Sequence, residues 1–101
     1  MRNIKCPLCL EEAQASAWDG NYRARVYCGK VEFDMTRNGF KRVATSPETD
    51  RVQLHVLAKN KPKGKFFAIR YEVEDYEDFK SKPVEAAPDW LISWSKTIPP
   101  A

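Results

Sequence analysis

Hydrophobic and polar side chains alternate with a period of two in three successive stretches near the start of the chain. The stretches are residues 11–18, 22–28 and 31–35. Alternation of this kind is typical of β-strands with one covered face. Asp19 and Gly20, between the first two stretches, favour the positive φ angles of a tight hairpin turn. The pattern therefore predicts a β-hairpin that is followed directly by a third strand.

The pattern just after the third strand fits more than one structure. Asn38 and Gly39 indicate another turn. Periodicity does not decide whether residues 40–43 return as a short strand or coil into a helical turn. Further along, residues 66–73 have strong strand propensity and follow a polar linker at residues 59–65.

Residues 46–59 carry both helix and strand signals. Ser46, Pro47 and the acidic residues after them suit the first turn of a helix, where a hydroxyl can cap and carboxylates face the positive end of the dipole. Four apolar residues nevertheless alternate strictly with their neighbours: Val52, Leu54, Val56 and Ala58. Because this alternation, the polar linker and the following strand together fit a long hairpin, we expect a strand here and a second hairpin over residues 51–73.

The last third of the chain is acidic and is then interrupted by prolines. Residues 71–79 contain five carboxylates, and residues 80–88 contain two prolines, which indicates a surface linker. Asp89 can cap a helix over residues 89–96, in which Trp90, Leu91 and Trp94 fall at helical spacing. We expect the prolines at 99–100 to end it.

Length and composition set the fold class. A chain of 101 residues with 43% hydrophobic and 12% aromatic residues can build the core of one domain, which argues against wholesale disorder. We expect a single domain over residues 1–101 that is mainly β, or small α+β. It comprises a ribbon-like hairpin within residues 1–36, a second hairpin and a short C-terminal helix. At this size folding buries only about two-thirds of the surface, so a bound metal would help.

Export and membrane signals are missing from the sequence. No run of about eighteen apolar residues occurs, and residues 1–5 lack the apolar segment of a signal peptide. We therefore expect a cytoplasmic protein whose cysteines stay reduced. Three cysteines also cannot all pair within one chain.

The cysteines give the most specific motif in the chain. Cys6 and Cys9 form a Cys-Pro-x-Cys corner. Cys28, which is followed by glycine, lies across the predicted hairpin from this corner. Proline fixes φ and supplies no competing amide, while later N–H groups in such a turn can point at a sulfur. Two such corners can hold one zinc ion, with His55 or a carboxylate as the fourth ligand. The alternative is that the cysteines are small buried hydrophobes without a metal.

These residues give the N-terminal third a resemblance to zinc-ribbon domains of the rubredoxin-knuckle type, which occur in many small bacterial and phage proteins. The sequence departs from that family's pattern at two positions. Leu10 stands where a glycine commonly follows the first pair, and Arg25 stands where the third of four cysteines is expected. The resemblance implies a structural zinc and a role in contacting nucleic acid.

Charge is distributed unevenly along the chain. Up to Arg70 there are fourteen basic and seven acidic side chains, whereas from Tyr71 onward three basic residues face seven acidic ones. A basic surface can steer an anionic partner. Cations neutralise phosphates and an aromatic ring among them can stack on a base, so we expect nucleic-acid contacts here. The candidates are Arg23, Arg25, Tyr27, Arg37, Lys41, Arg42, Lys61, Lys63 and Lys65.

The acidic and aromatic C-terminal third offers a second interaction surface. Its candidate residues are Glu74, Asp75, Asp78, Trp90 and Trp94. Such a surface can dock tryptophan anchors into the pocket of a host protein, in the manner of small phage or mobile-element inhibitors and adaptors. The alternative is that the tryptophans close the core over the sheet and the acids form its wet edge.

Patterns that indicate catalysis are missing from the sequence. No serine stands in a Gly-x-Ser-x-Gly setting, no glycine-rich phosphate loop occurs, and the single histidine has no sequence partner for general-base work. We therefore do not expect an enzyme. The sequence favours a non-enzymatic binding module with a structural zinc, contacting nucleic acid or a nucleic-acid-handling complex. A protein that inhibits or adapts a host protein is the alternative.

Overall fold

The computed structural model describes residues 2–18, 21–78 and 81–99, and a mixed β-sheet dominates them. The predicted turn at residues 19–20 lies outside the described residues. The strands are β1 (Arg2–Lys5), β2 (Glu12–Ala17), β3 (Arg23–Cys28), β4 (Val31–Thr36), β5 (Lys65–Ile69), β6 (Glu74–Asp78) and β7 (Glu85–Ala86). The helices are α1 (Arg37–Ala44), α2 (Glu48–Lys59) and α3 (Asp89–Ser95). The prediction of a mainly β domain with a short C-terminal helix is confirmed.

The first six strands lie side by side in chain order. Each neighbouring pair is antiparallel except β4 and β5, which are parallel. A parallel pair requires a crossover connection, and α1 and α2 supply it. β7 pairs with Ser16 and Ala17 of β2, so two residues of the predicted linker join the sheet. Among the described residues, no helix has both the length and the apolar character needed to cross a membrane.

The core lies on one face of the sheet, beneath the helices. One cross-strand row shows how it is built: Ala15 pairs with Val26, Val26 with Phe33, and Phe33 with Phe67. All four side chains are buried, as period-two strands with one covered face require. The helices add further buried residues to the same cluster: Phe40, Val43, Leu54, Ala58 and Leu91.

Residues 48–59 are helical, so the expected strand over residues 46–59 is wrong. Leu54 and Ala58, one helical turn apart, are buried in the core, whereas Val52 and Val56 are 50% and 47% exposed. These two stripes produced the alternation in the sequence, because residues two apart project about 200° from each other on a helix. A helix with one buried and one exposed apolar stripe can therefore have the alternating sequence pattern that is typical of a strand.

The predicted start signal for this helix is confirmed in position but differs in detail. Glu48 and Asp50 lie in the first turn, and Pro47, not Ser46, is the residue that precedes it. The Ser46 hydroxyl instead donates a 2.7 Å hydrogen bond to the Arg42 carbonyl at the end of α1. Ser46 therefore satisfies the end of one helix rather than the start of the next.

The expected turn at Asn38 and Gly39 is also wrong, because both residues lie in the first turn of α1. The Thr36 hydroxyl caps this helix by accepting a 3.0 Å hydrogen bond from the Gly39 N–H. Residues 40–43, for which the pattern left strand and helix open, are helical.

The second hairpin forms later in the chain than expected. β5 pairs with β6, from Lys65 opposite Asp78 to Ile69 opposite Glu74, and the acidic stretch is therefore a strand. The predicted hairpin over residues 51–73 is wrong because its first half is α2. The prediction of a strand that begins near Phe66 is confirmed by β5.

Gly39 lets α1 lie directly against the backbone at the end of β5. A Cβ atom at this position would stand 2.2 Å from the Ile69 carbonyl oxygen and 2.7 Å from its carbon. Both atoms belong to the backbone of a buried strand, so they cannot move aside as a flexible side chain would.

We predict that Gly39→Ala destabilises the protein by about 1–3 kcal/mol, the usual cost of overpacking. Helix propensity alone predicts the opposite sign, a gain of about 1 kcal/mol. Urea unfolding followed by circular dichroism measures the difference. Asn38→Ala is the control, because this exposed neighbour gains propensity without a clash. Equal stabilisation of both variants would show that α1 does not approach β5 this closely.

Candidate functional site

Four metal-ligating side chains converge at one end of the sheet. Cys6 and Cys9 lie in the loop after β1, Cys28 ends β3 and His55 lies on α2. Their ligand atoms all lie within 4.8 Å of one another. Because β1 and β3 are both antiparallel to β2, their C-terminal ends meet at the same end of the sheet. The three cysteines and the histidine are thus close enough to hold one metal ion.

The loop of the first two cysteines is held by its own backbone. The Cys6 N–H donates to the Glu11 carbonyl (2.7 Å), and the Leu10 N–H donates to the Cys6 carbonyl (2.8 Å). The N–H groups of Leu8 and Cys9 point at the Cys6 sulfur and act to lower its pKa. Leu10 has a φ of 65°, the left-handed conformation that usually favours glycine. The loop therefore keeps a glycine-like geometry although leucine stands at this position.

The second cysteine corner repeats this arrangement with a single cysteine. Cys28 is followed by Gly29, whose φ is 61°, so a left-handed residue follows the cysteine on both sides of the site. The sulfurs of Cys9 and Cys28 are 3.3 Å apart, well beyond the length of about 2.05 Å of a disulfide. All three cysteines are free thiols.

His55 completes the cluster from the helical side. Its Nε2 atom is buried and has no hydrogen-bond partner among the described residues. Arg51, one turn earlier on α2, donates a 3.3 Å hydrogen bond to the Leu8 carbonyl and so holds the helix against the cysteine loop. Burial, and then the charge of Lys59, lower the pKa of His55. The neutral imidazole that binds metals is therefore favoured.

The electrostatics of the site suit a cation. Burial is the largest cause that raises the pKa of the Cys6 thiol far above its usual range. Burial likewise raises the pKa of Cys28 to about 11, with the Cys9 thiol adding to it. Raised pKa values favour the neutral thiols, because the thiolate forms would lack a compensating charge here, and a divalent cation would supply one. Three sulfurs and one imidazole nitrogen form a donor set that suits zinc.

Arg25 does not belong to the cysteine cluster, because its side chain projects from the face of the sheet opposite to the one that Cys28 faces. Residues three apart in a strand point to opposite faces, and Cys28 faces the core side. The Arg25 guanidinium is buried and pairs with Asp34 on β4, at 2.7 Å from Nε to Oδ1 and 3.2 Å from Nη2 to Oδ2. The position at which a zinc ribbon carries a cysteine is thus part of an internal ion pair.

The face expected to bind nucleic acid through Arg23 and Arg25 is instead occupied by internal contacts. Arg23 donates to Asp34 (2.9 Å) and to Glu77 (2.6 Å). The Arg25 guanidinium lies 3.8 Å from the centre of the Phe66 ring. Tyr27, half-buried on the same face, stands opposite Glu32 on β4. Arg23 and Arg25, two of the residues expected to contact nucleic acid, are therefore held in internal ion pairs, and Arg25 is buried.

The remaining basic candidates separate into paired and unpaired groups. Arg42 forms a 2.8 Å ion pair with Glu74, and Lys65 pairs with Asp78. Lys61 lies 5.0 Å from the Phe66 ring. Three candidates are exposed and have no ion-pair partner among the described residues: Arg37, Lys41 and Lys63. The first two lie on α1, and the third lies at the opposite end of the sheet, before β5.

The acidic and aromatic candidates are also engaged within the molecule. Trp90 and Trp94 on α3 pack on Phe40, with ring centres 5.2 and 5.5 Å apart. The Trp90 indole donates a 2.7 Å hydrogen bond to the Asn21 carbonyl. Asp75 lies 3.6 Å from Arg70, and the other two acidic candidates are paired as described above. This placement fits tryptophans that close the core over the sheet and acids that form a wet edge.

The helix α2, which places His55 beside the cysteines, was missed in the prediction from the sequence. His55 is the candidate ligand that a ribbon pattern does not contain, and the helical crossover brings it beside the cysteines. The helix start signal at residues 47–50 could have predicted the location of His55. A helix that begins there must run back towards the beginning of β5.

We predict that Asp34→Ala destabilises the protein by about 3–5 kcal/mol, because it leaves the buried Arg25 charge without its partner. Asp75→Ala is the matched control. It removes a carboxylate from an exposed ion pair with Arg70, and should cost about 1 kcal/mol or less. Urea unfolding measures both. Similar losses for the two variants would contradict a buried pair at the centre of the polar face.

Comparison of the chain with known protein families, with curated proteins and with solved structures found no match in any of the three. The site is accordingly characterised by its own geometry: three cysteines and one histidine, drawn from a loop, a strand end and a helix.

Proposed function

We propose that this protein is a non-enzymatic binding module that holds one structural zinc ion and contacts nucleic acid. The main support for zinc is that four possible ligand atoms, which come from three separate parts of the chain, lie within 4.8 Å of one another. In a tetrahedral zinc site with Zn–S bonds of about 2.3 Å, sulfurs lie about 3.8 Å apart. The sulfurs of Cys9 and Cys28 are 3.3 Å apart, so they would move apart by about 0.5 Å to bind one zinc ion in this geometry.

Zinc is the metal that best suits this donor set. Thiolate and imidazole ligands in a four-coordinate arrangement are typical of structural zinc sites, whereas magnesium and calcium prefer oxygen. The Nε2 atom of His55 is buried and unpartnered, and a metal bound through this nitrogen would satisfy it. Four protein ligands leave no open coordination position for substrate, which favours a structural role over catalysis. The site therefore combines a ribbon-like cysteine loop with a helical histidine.

We predict that the purified protein binds one zinc ion per chain, measured by native mass spectrometry. Cys9→Ser and His55→Ala should each weaken zinc binding by more than about 100-fold, since even groups that only support a ligand contribute 10–100-fold. Gln53→Ala, at an exposed position of the same helix, should bind as the wild type does. Chelation of the metal from the wild type should lower the midpoint of thermal unfolding.

Two results would count against zinc. One is a metal-free mass from a well-folded sample that has been exposed to zinc. The other is a wild-type affinity in His55→Ala, which would leave the three cysteines as the only protein ligands and remove the reason for the helical contribution.

The nucleic-acid part of the proposal is supported by charge that the fold leaves unpaired. Arg37, Lys41 and Lys63 are exposed and have no carboxylate partner among the described residues. The chain as a whole carries a net charge of +3. Exposed cations of this kind neutralise phosphates and release counterions, which makes the interaction strongest at low salt.

We predict that the protein retains labelled nucleic acid on a filter at low salt and loses it as salt is raised, because phosphate contacts weaken with ionic strength. Reversing the charge of Arg37, Lys41 and Lys63 together to glutamate should abolish retention. The control reverses Lys30, Lys82 and Lys96, which are exposed and outside the candidate set. No retention of wild-type protein at low salt would remove nucleic acid as the partner and leave the zinc site unaffected.

A further inference from the structure

A groove of about 760 Å³ lies at the end of the sheet where β4 and β5 terminate. Its walls come from the residue before β3, the start of α1 and the turn after β5. The carboxyl ends of parallel strands are where open α/β sheets commonly bind ligands. Cys28 ends β3, which runs antiparallel to β4, so the metal ligands lie at the opposite end of the sheet.

The groove is built by contacts that hold both of its sides. On one side, the Arg42 guanidinium of α1 donates to the Arg70 carbonyl (3.1 Å), just after β5. The Arg70 N–H donates to the Val73 carbonyl (2.8 Å) and closes the turn between β5 and β6. On the other side, the Arg37 N–H donates to the Tyr22 carbonyl (2.8 Å). The close approach at Gly39 fixes α1 between them, so the groove exists before any ligand binds.

Two large aromatic rings line this groove and take no part in the core. Tyr22 is 64% exposed and Tyr71 is 60% exposed. Neither hydroxyl has a hydrogen-bond partner within residues 2–18, 21–78 and 81–99, and neither ring packs on another aromatic ring there. Rings that are held by their backbone but unused in folding offer flat faces for stacking.

Two unpaired cations accompany the rings. Lys41 lines the groove, and Arg37 lies one turn before it on α1, so both project on the same side of the helix. Like charges at this spacing repel and weaken a helix slightly. Neither forms an ion pair with a carboxylate among the described residues. An anionic ligand would remove that repulsion.

We propose that this groove binds single-stranded nucleic acid, with bases stacked on Tyr22 and Tyr71 and the phosphates held by Arg37 and Lys41. The inference rests on the proposed function. It adds the location of the binding site and the preference for single strands over duplexes. Exposed bases are available for stacking only in single strands, whereas a duplex hides their faces. Stacking is tolerant of sequence, so this site binds strands with little base preference.

Glu72 lies in the groove beside Tyr71 and works against phosphate binding. It is exposed at the tip of the turn after β5. A carboxylate can accept hydrogen bonds from the amino groups of bases, but it repels the backbone phosphates. Glu72→Gln therefore raises affinity for a strand without amino groups, such as oligodeoxythymidylate.

The test measures fluorescence anisotropy of a labelled oligodeoxythymidylate at low salt, with a blunt duplex of equal length as competitor. Tyr22→Ala and Tyr71→Ala each weaken binding by roughly tenfold, because each removes a stacking platform. Tyr22→Phe and Tyr71→Phe keep the rings and keep most of the affinity. Zinc content and the unfolding midpoint of each variant confirm that the fold is intact, since the metal ligands lie at the other end of the sheet.

A salt series tests the cations separately from the rings. Replacing Arg37 and Lys41 together by alanine lowers the slope of log affinity against log salt by about 1.4, at ~0.7 for each lost phosphate contact to a single strand. The control replaces Lys30 and Lys82 by alanine. This removes the same charge from exposed positions that do not line the groove, and changes the slope less.

The outcomes separate this inference from the proposed function. Wild-type affinity in the Tyr22→Ala/Tyr71→Ala double variant, or a preference for the duplex, overturns the groove as a single-strand site and leaves nucleic-acid binding standing. A wild-type protein that binds neither probe at low salt overturns both. Loss of single-strand binding in the double variant, with retention in the phenylalanine variants, supports the groove.

Discussion

The parallel pairing of β4 with β5 is the constraint on which both ends of this molecule depend. Antiparallel neighbours can be joined by a tight turn, but a parallel neighbour forces the chain to travel back along the whole sheet before it can pair. Here that return path is α1 and α2. It covers the core face, delivers His55 to the cysteines at one end, and leaves a groove at the other end, where the path departs.

The two faces of the sheet are used in different ways, and this difference explains why Arg25 stands where a ribbon would carry a cysteine. The core face is apolar and covered by helices, whereas the other face holds an internal ion network around Asp34. A residue three positions from Cys28 in a continuous strand must lie on that second face. A second cysteine pair would need a turn in place of the last residues of β3, and the chain keeps the strand. The fourth side chain that could bind a metal, His55, therefore comes from another element.

Sequence reasoning could predict the parts of the fold that depend on neighbouring residues. Alternation placed β2, β3 and β4, and the Cys-Pro-x-Cys spacing placed the cysteine loop, because both signals are local. It failed at residues 52–58, where one buried stripe and one exposed apolar stripe on α2 produced strand-like alternation. It also failed to show that Arg25 is buried, since that depends on Asp34 and Phe66 from other strands. Convergence of His55 with the cysteines depends on a crossover, of which the local pattern shows only the helix start signal at residues 47–50.

The placement of the metal ligands relative to the helical crossover links the proposed zinc to the proposed groove. A small domain gains most from a cross-link that joins segments far apart in sequence, because such a link restricts the unfolded chain most. Zinc at Cys6, Cys9, Cys28 and His55 would join the N-terminal loop, a central strand and α2. It would thereby fix the far end of the same crossover that begins at the groove. Binding surfaces made of exposed side chains need a rigid backbone to limit the entropy lost on association. On this argument the metal acts at a distance, because it holds the helical crossover whose first helix, α1, presents both cations.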